Sequence, residues 1–111
     1  MTAYAMAHLR SVDMNAEIVE YLQRIDDTLT PHGGRFLVHG KTPEVVDGTF
    51  VGVVVVIEFP DLDHAHAWYR SADYQAILQF RTRNSDGGAF VVDGVAPGYR
   101  ASSLVPSASS S

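Results

Sequence analysis

Residues 51–60 read VGVVVVIEFP. The unbroken β-branched run VVVVI at 53–57 suits a pleated strand better than a helix, and Pro60, which lacks a backbone N–H, ends it. A strand like this is apolar on both faces, so each face needs a covering layer. The run is far too short to cross a bilayer.

The neighbouring segments supply one such layer. YAMAHL at 4–9 alternates Tyr4, Met6 and His8 with Ala5, Ala7 and Leu9, as a first strand does. Residues 16–30 repeat Ile18, Tyr21, Leu22, Ile25 and Leu29 at spacings of three and four, which predicts an amphipathic helix capped by Asn15 or Asp13. HGG at 32–34 closes that helix, and RFLVHG at 35–40 reads as the second strand. VGVVVVIEF at 51–59 is the third. Helices are expected over 61–70, with Asp61 or Asp63 at the start, and over 71–80 from Ser71. NSDGG at 84–88 reads as a turn, and AFVVDGV at 89–95 as the last strand.

The order is β-α-β-β-α-β, which predicts a ferredoxin-like α+β fold. The sheet is expected to be antiparallel, in the order 4-1-3-2, with the helices on one face. Residues 1–99 are expected to form a single domain and residues 100–111 a disordered tail.

Strand alternation puts Phe36, Val38, Val53, Val55, Ile57 and Phe59 under the helices. It puts Arg35, Leu37, His39, Val54, Val56 and Glu58 on the opposite face, with Arg35 across from Glu58. Tyr4, Met6, Leu37, Val54 and Val56 make that face apolar in its middle. One copy has no third layer, so a homodimer joined sheet to sheet is expected.

Composition removes several function classes. The formal net charge of -5 argues against nucleic acid and against anionic membranes. The absence of cysteine excludes disulfides, thiolate nucleophiles and cysteine-ligated metals. Without a charged and then apolar leader pattern, a cytoplasmic protein is expected.

The candidate site residues each carry two readings. His8 and His39 are candidate bases on the outer sheet face, or satisfied structural histidines. Tyr74 can orient a ligand or donate a proton, or lie buried with its hydroxyl tied to backbone. Trp68 is core or cleft wall, with Tyr4, Met6 and Leu37 as further apolar lining. Arg81 and Arg83 suit a helix C-terminus, but Arg83 with Asn84 can also reach a cleft mouth and hold an acidic group. His64 and His66 point to different sides of a helix, so no metal site is expected there. No nucleophilic triad and no phosphate loop is legible. No cofactor is expected; His8 and His39 match a haem ligand by residue type only.

GGRFLVHG at 33–40, VVIEFPDLDHAHAWYRSADYQAI at 55–77 and RTRNSDG at 81–87 resemble the domain-of-unknown-function family 1330, over about residues 3–99. The resemblance implies a dimeric α+β barrel. Relatives in that group include small monooxygenases that need no metal or flavin, muconolactone-isomerase-like enzymes, chlorite-dismutase-like haem proteins and stress-responsive proteins. It implies no particular reaction. Two functions are therefore carried forward. One is a cofactor-independent enzyme, monooxygenase- or isomerase-like, on a small, partly apolar organic molecule. The alternative is a non-catalytic ligand-binding or stress-associated dimer.

Overall fold

The alternation near the N-terminus forms a strand, β1 (Ala3–Val12). It is followed by α1 (Ala16–Leu29), β2 (Arg35–Lys41), β3 (Val53–Phe59), α2 (Leu62–Arg70), α3 (Ala72–Thr82) and β4 (Ser85–Asp93). The structure, a computed structural model, describes residues 1–106. The strands pair antiparallel in the order β2-β3-β1-β4, which is the expected 4-1-3-2 order. Arg35 and Glu58 face each other across β2 and β3 and form an ion pair of 2.9 Å.

Local chemistry sets the helix ends. The Asn15 side chain accepts from Ile18 N and caps α1, and Gly33 closes the following turn with φ 70°. Asp61 caps α2 by accepting from His64 N. Ser71 does two things at once. Its hydroxyl donates to Trp68 O at the end of α2 and accepts from Tyr74 N at the start of α3. The chain is extended at Ser71, with ψ 146°, so α3 leaves in a new direction.

The helices bury their apolar stripes on one sheet face. The core joins Ile25 and Leu29 of α1, Ile57 and Phe59 of β3, Ala65 and Trp68 of α2, and Tyr74 and Ile77 of α3. Phe59 and Ile77 are the largest fully buried side chains.

Two strands differ from expectation. β4 begins at Ser85, not Ala89, and ends at Asp93. Ser85 to Gly88 are therefore strand and not turn: they pair with Val12, Ser11, Leu9 and His8. β1 runs on to Val12 and offers this segment a ladder, which outweighs its turn-like composition. The register shift between Leu9 and Ser11 absorbs the mismatch. Gly87, at φ 154°, is required by close approach: a side chain there would collide with the His8 carbonyl.

The second difference lies in β2. Phe36 pairs with Ile57, but Val38 pairs with Val56 and His39 with Val55, with a bulge between Phe36 and Val38. Leu37 is the extra residue. Beyond it the faces exchange, so Val38 joins the outer face and His39, on the edge strand and exposed, joins the helix-side face. A strict alternation predicts the reverse.

The C-terminal segment includes a 3-10 turn at Ala101–Leu104. The part of the expected disordered tail from 107 to 111 lies outside the described residues. Among the described residues no helix is long and apolar enough to cross a membrane.

Two adjacent glycines test the β4 assignment. Gly87→Ala is expected to cost about 1–3 kcal/mol in urea unfolding, because the backbone must move away from His8. Gly88→Ala, whose new methyl meets nothing within 4 Å, is expected to stay within about 0.5 kcal/mol. Equal costs at both positions would contradict this register.

Candidate functional site

On the helix-facing side, β1 carries Ala3, Ala5 and Ala7 opposite Phe59, Ile57 and Val55 of β3. Small side chains in the middle of the sheet leave volume that the helices do not fill. The result is a cavity of about 1050 Å³ between sheet and helices. Its floor includes Ala5, Ala7, Val55 and Ile57, and Ala89 continues it onto β4. Its roof includes Ile18, Tyr21 and Ile25 of α1 and Trp68 of α2. The lining is mostly apolar with a few polar groups, the usual character of a small-molecule site.

The polar groups come from five elements, Ser85 of β4 among them. Tyr21 of α1 and Tyr74 of α3 are both buried, and their hydroxyls are 2.9 Å apart. The Arg81 guanidinium lies beside the pair. Burial pushes the Tyr21 phenol pKa far up, Tyr74 adds to this, and Arg81 offsets part of it. Burial works against the Arg81 charge, but the Tyr74 and Tyr21 oxygens more than compensate, so its pKa is raised. Arg81 is therefore a permanent cation in the cavity wall, next to the Tyr21 phenol, which burial holds in its protonated form. His39 of β2 also lines the cavity, with its ring stacked on Phe36 at 4.2 Å between centroids. His66 of α2 lines it too, while its neighbour His64 turns away to bond Asp61 at 2.6 Å.

The sequence-derived candidates separate into three places. His39, Tyr74 and Trp68 line the cavity, and Met6 borders it from a strand position that belongs to the outer row. Trp68 is fixed there by donating from Nε1 to Thr28 Oγ1 at 2.9 Å, and its ring packs on Tyr74 at 4.1 Å and on Phe59 at 5.4 Å. Tyr4, His8 and Leu37 are not part of the lining. Tyr4 and His8 sit with Met6 on the outer row of β1. The His8 ring donates to the Val51 carbonyl at 2.7 Å and packs on Phe50 at 4.3 Å, so it has a backbone partner and does not meet His39. Arg83 and Asn84 form the third group, away from the cavity. Arg83 pairs with Glu17 at 3.3 Å. Asn84 donates to Glu17 and to the Phe80 carbonyl and accepts from Asn15. Together they clasp the end of α3 to the start of α1.

Sequence reasoning thus named Arg83 where the cavity holds Arg81. The signal was present: Tyr74, Ile77 and Arg81 are three and seven residues apart, which is one helix face. Periodicity marks Tyr21 only as an apolar-stripe residue, and spacing marks His66 only as half of a His-x-His pair. Among the described residues, no three His, Asp or Glu side chains gather in a metal-binding group.

A four-stranded antiparallel sheet with its helices on one face is the ferredoxin-like architecture of a known class of small α+β proteins. The chain belongs to the DUF1330 family, described as a domain of unknown function, whose model matches residues 2–95. No curated protein matches it. Among solved structures it is similar to a protein of unknown function from Rhodopseudomonas palustris. The identity is 14%, 86% of this chain and 84% of that one are covered, and the TM-score is 0.63. A dimeric ferredoxin-like protein of unknown function from Thermobifida fusca is similar at 14% identity, 84% and 91% coverage and TM-score 0.58. SnoaB from Streptomyces nogalater, described as a cofactor-independent oxygenase, is similar at 12% identity, 89% and 96% coverage and TM-score 0.52. At these identities the likeness is one of fold.

The tyrosine pair has a readable pH consequence. Because the folded pKa of Tyr21 lies above its unfolded value of about 10, its contribution is complete below that pH. It falls away as pH rises above it, because the unfolded chain releases the proton first. Unfolding curves at increasing alkaline pH should therefore show falling stability, with a shallower fall in Tyr21→Phe. An unchanged slope would place the tyrosine in a solvated environment.

Proposed function

We propose that the protein is a homodimer joined through its outer sheet faces. We further propose that each cavity takes a small, partly apolar organic molecule and acts on it without metal or flavin, in an oxygenation or isomerisation. The carrying observation is the cavity of about 1050 Å³ with Arg81, Tyr74 and Tyr21 together in its wall. A fixed cation beside phenol donors stabilises an oxyanion or enolate that forms next to it. His39, from β2, is the candidate base and Tyr74 the candidate proton donor or orienter. The cofactor-independent oxygenase among the structural neighbours supports the reading at the level of fold.

The dimer rests on exposed apolar surface. Leu37, Phe90 and Val92 are 46%, 53% and 44% exposed. Met6 and Phe90, Met6 and Val56, and Tyr4 and Val92 are cross-strand pairs on the same face. Several neighbours of this fold are described as dimeric. A second copy covers this face and gives the central strands their missing layer.

Binding without turnover is the second reading. It is favoured by the Tyr74 hydroxyl being engaged already by Tyr21.

Sedimentation should give a dimer, and Phe90→Lys should shift it to monomer; a monomeric wild type would remove the sheet-to-sheet assembly. A panel of quinols and lactones screened for turnover tests the chemistry. On any substrate found, His39→Ala and Tyr74→Phe should each lower kcat by about 100-fold or more, the usual size of a lost acid–base group. Unchanged turnover in both variants would leave binding alone.

A further inference from the structure

The cavity wall is charged opposite to the protein as a whole. The chain has 13 acidic and 8 basic residues. The ionisable side chains lining the cavity, apart from tyrosine, are Arg70, Arg81, His39 and His66, with no aspartate or glutamate among them. Such a segregation in an acidic chain singles out the cavity as a place for negative charge.

Arg81 concentrates the effect. Every nearby cation at the end of α3 has been given a partner except this one. Arg83 is taken by Glu17, whereas Arg81 forms no ion pair among the described residues. The half-buried guanidinium has hydroxyl neighbours but no carboxylate, so an incoming anion supplies the counter-charge that the wall lacks. The tyrosines add direction. Each hydroxyl has one proton, so when one donates to the other, the second proton is left to point elsewhere. The wall thus offers a planar guanidinium fork and a phenol O–H. Two coplanar acceptor oxygens on one carbon match that set.

We propose that the cavity's ligand is a small amphiphilic monocarboxylate. Its carboxylate lies between Arg81 and the Tyr21–Tyr74 pair, and its hydrocarbon body lies along Ala5, Ala7, Val55 and Ile57. The proposal rests on the cavity being the binding site and adds the chemical class of what enters it.

Trp68, the chain's one tryptophan, lines the cavity and reports occupancy by its fluorescence. The full chain is titrated at neutral pH with octanoate, octanol and octylamine, which share a tail and differ in charge. Octanoate is expected to change Trp68 emission saturably, with a Kd at least about 10-fold below that of octanol, as a charge-assisted hydrogen bond provides. Octylamine is expected to bind weakest. Arg81→Gln should bring octanoate to the level of octanol while leaving octanol unchanged, which also shows that the cavity is intact. Arg81→Lys should keep part of the preference, and Arg83→Gln all of it. Octanol binding as tightly as octanoate, or a preference that survives Arg81→Gln, overturns the carboxylate assignment but leaves the cavity as a site. If none of the three probes perturbs Trp68, the cavity reading falls with it.

Discussion

Trp68 is the point at which the layers of this protein meet. Its ring packs on Phe59 of β3 and on Tyr74 of α3, and its indole N–H donates to Thr28 of α1. One side chain thus ties three helices to the sheet. Thr28 is itself anchored, since its hydroxyl donates to the Ile25 carbonyl one turn back. A buried indole contributes a large apolar surface but needs a partner for its N–H, and both conditions are met here. The position of Tyr74, and through it the polar corner of the cavity, follows from this packing together with the break at Ser71.

The cavity is the other side of the same arrangement. Large aromatic residues fill the end of the sheet near Phe59, while alanines on β1 leave the middle open. The polar residues that face this space are kept by mutual satisfaction. A lone buried phenol costs about 1–3 kcal/mol if its hydroxyl finds no partner, and the Tyr21–Tyr74 bond removes that cost. Among the described residues no buried side-chain nitrogen or oxygen lacks a partner. Arg81 stands apart because it is half-buried beside the tyrosine pair and has no carboxylate partner among the described residues. That asymmetry connects the packing of the fold to a preference for an anionic ligand.

The outer face of the sheet shows a different use of the same strands. His8, a candidate base by residue type, lies there with its ring nitrogen held by the Val51 carbonyl and its face against Phe50. The β2–β3 connection folds back onto β1 through these contacts. His8 and His39 look alike in sequence, each in a strand at an alternating position. They lie on opposite faces because a bulge at Leu37 reverses β2 and nothing reverses β1 before Leu9.

Much of the fold was legible because it depends on short-range chemistry. The order of the elements, the caps at Asn15, Asp61 and Ser71, the stop at Gly33 and the Arg35–Glu58 pair all follow from residues within one or two turns, or from simple alternation. Strand order then follows from the sequence of element types. The site was legible only in part. Residue type and spacing point to Tyr74, Trp68 and His39, but they also point to Arg83 in place of Arg81, and composition alone makes the start of β4 a turn. Each miss has one cause. Helix and strand periods describe a single element, whereas a bulge, a ladder extension or the filling of a cavity depends on what that element meets. The amino-acid sequence determined which segments are helices and strands and that both sheet faces are apolar. Tertiary pairing decided that His39 joins the helix-side face, that residues 85–88 join the sheet, and that Arg81, not Arg83, lines the cavity beside the tyrosine pair.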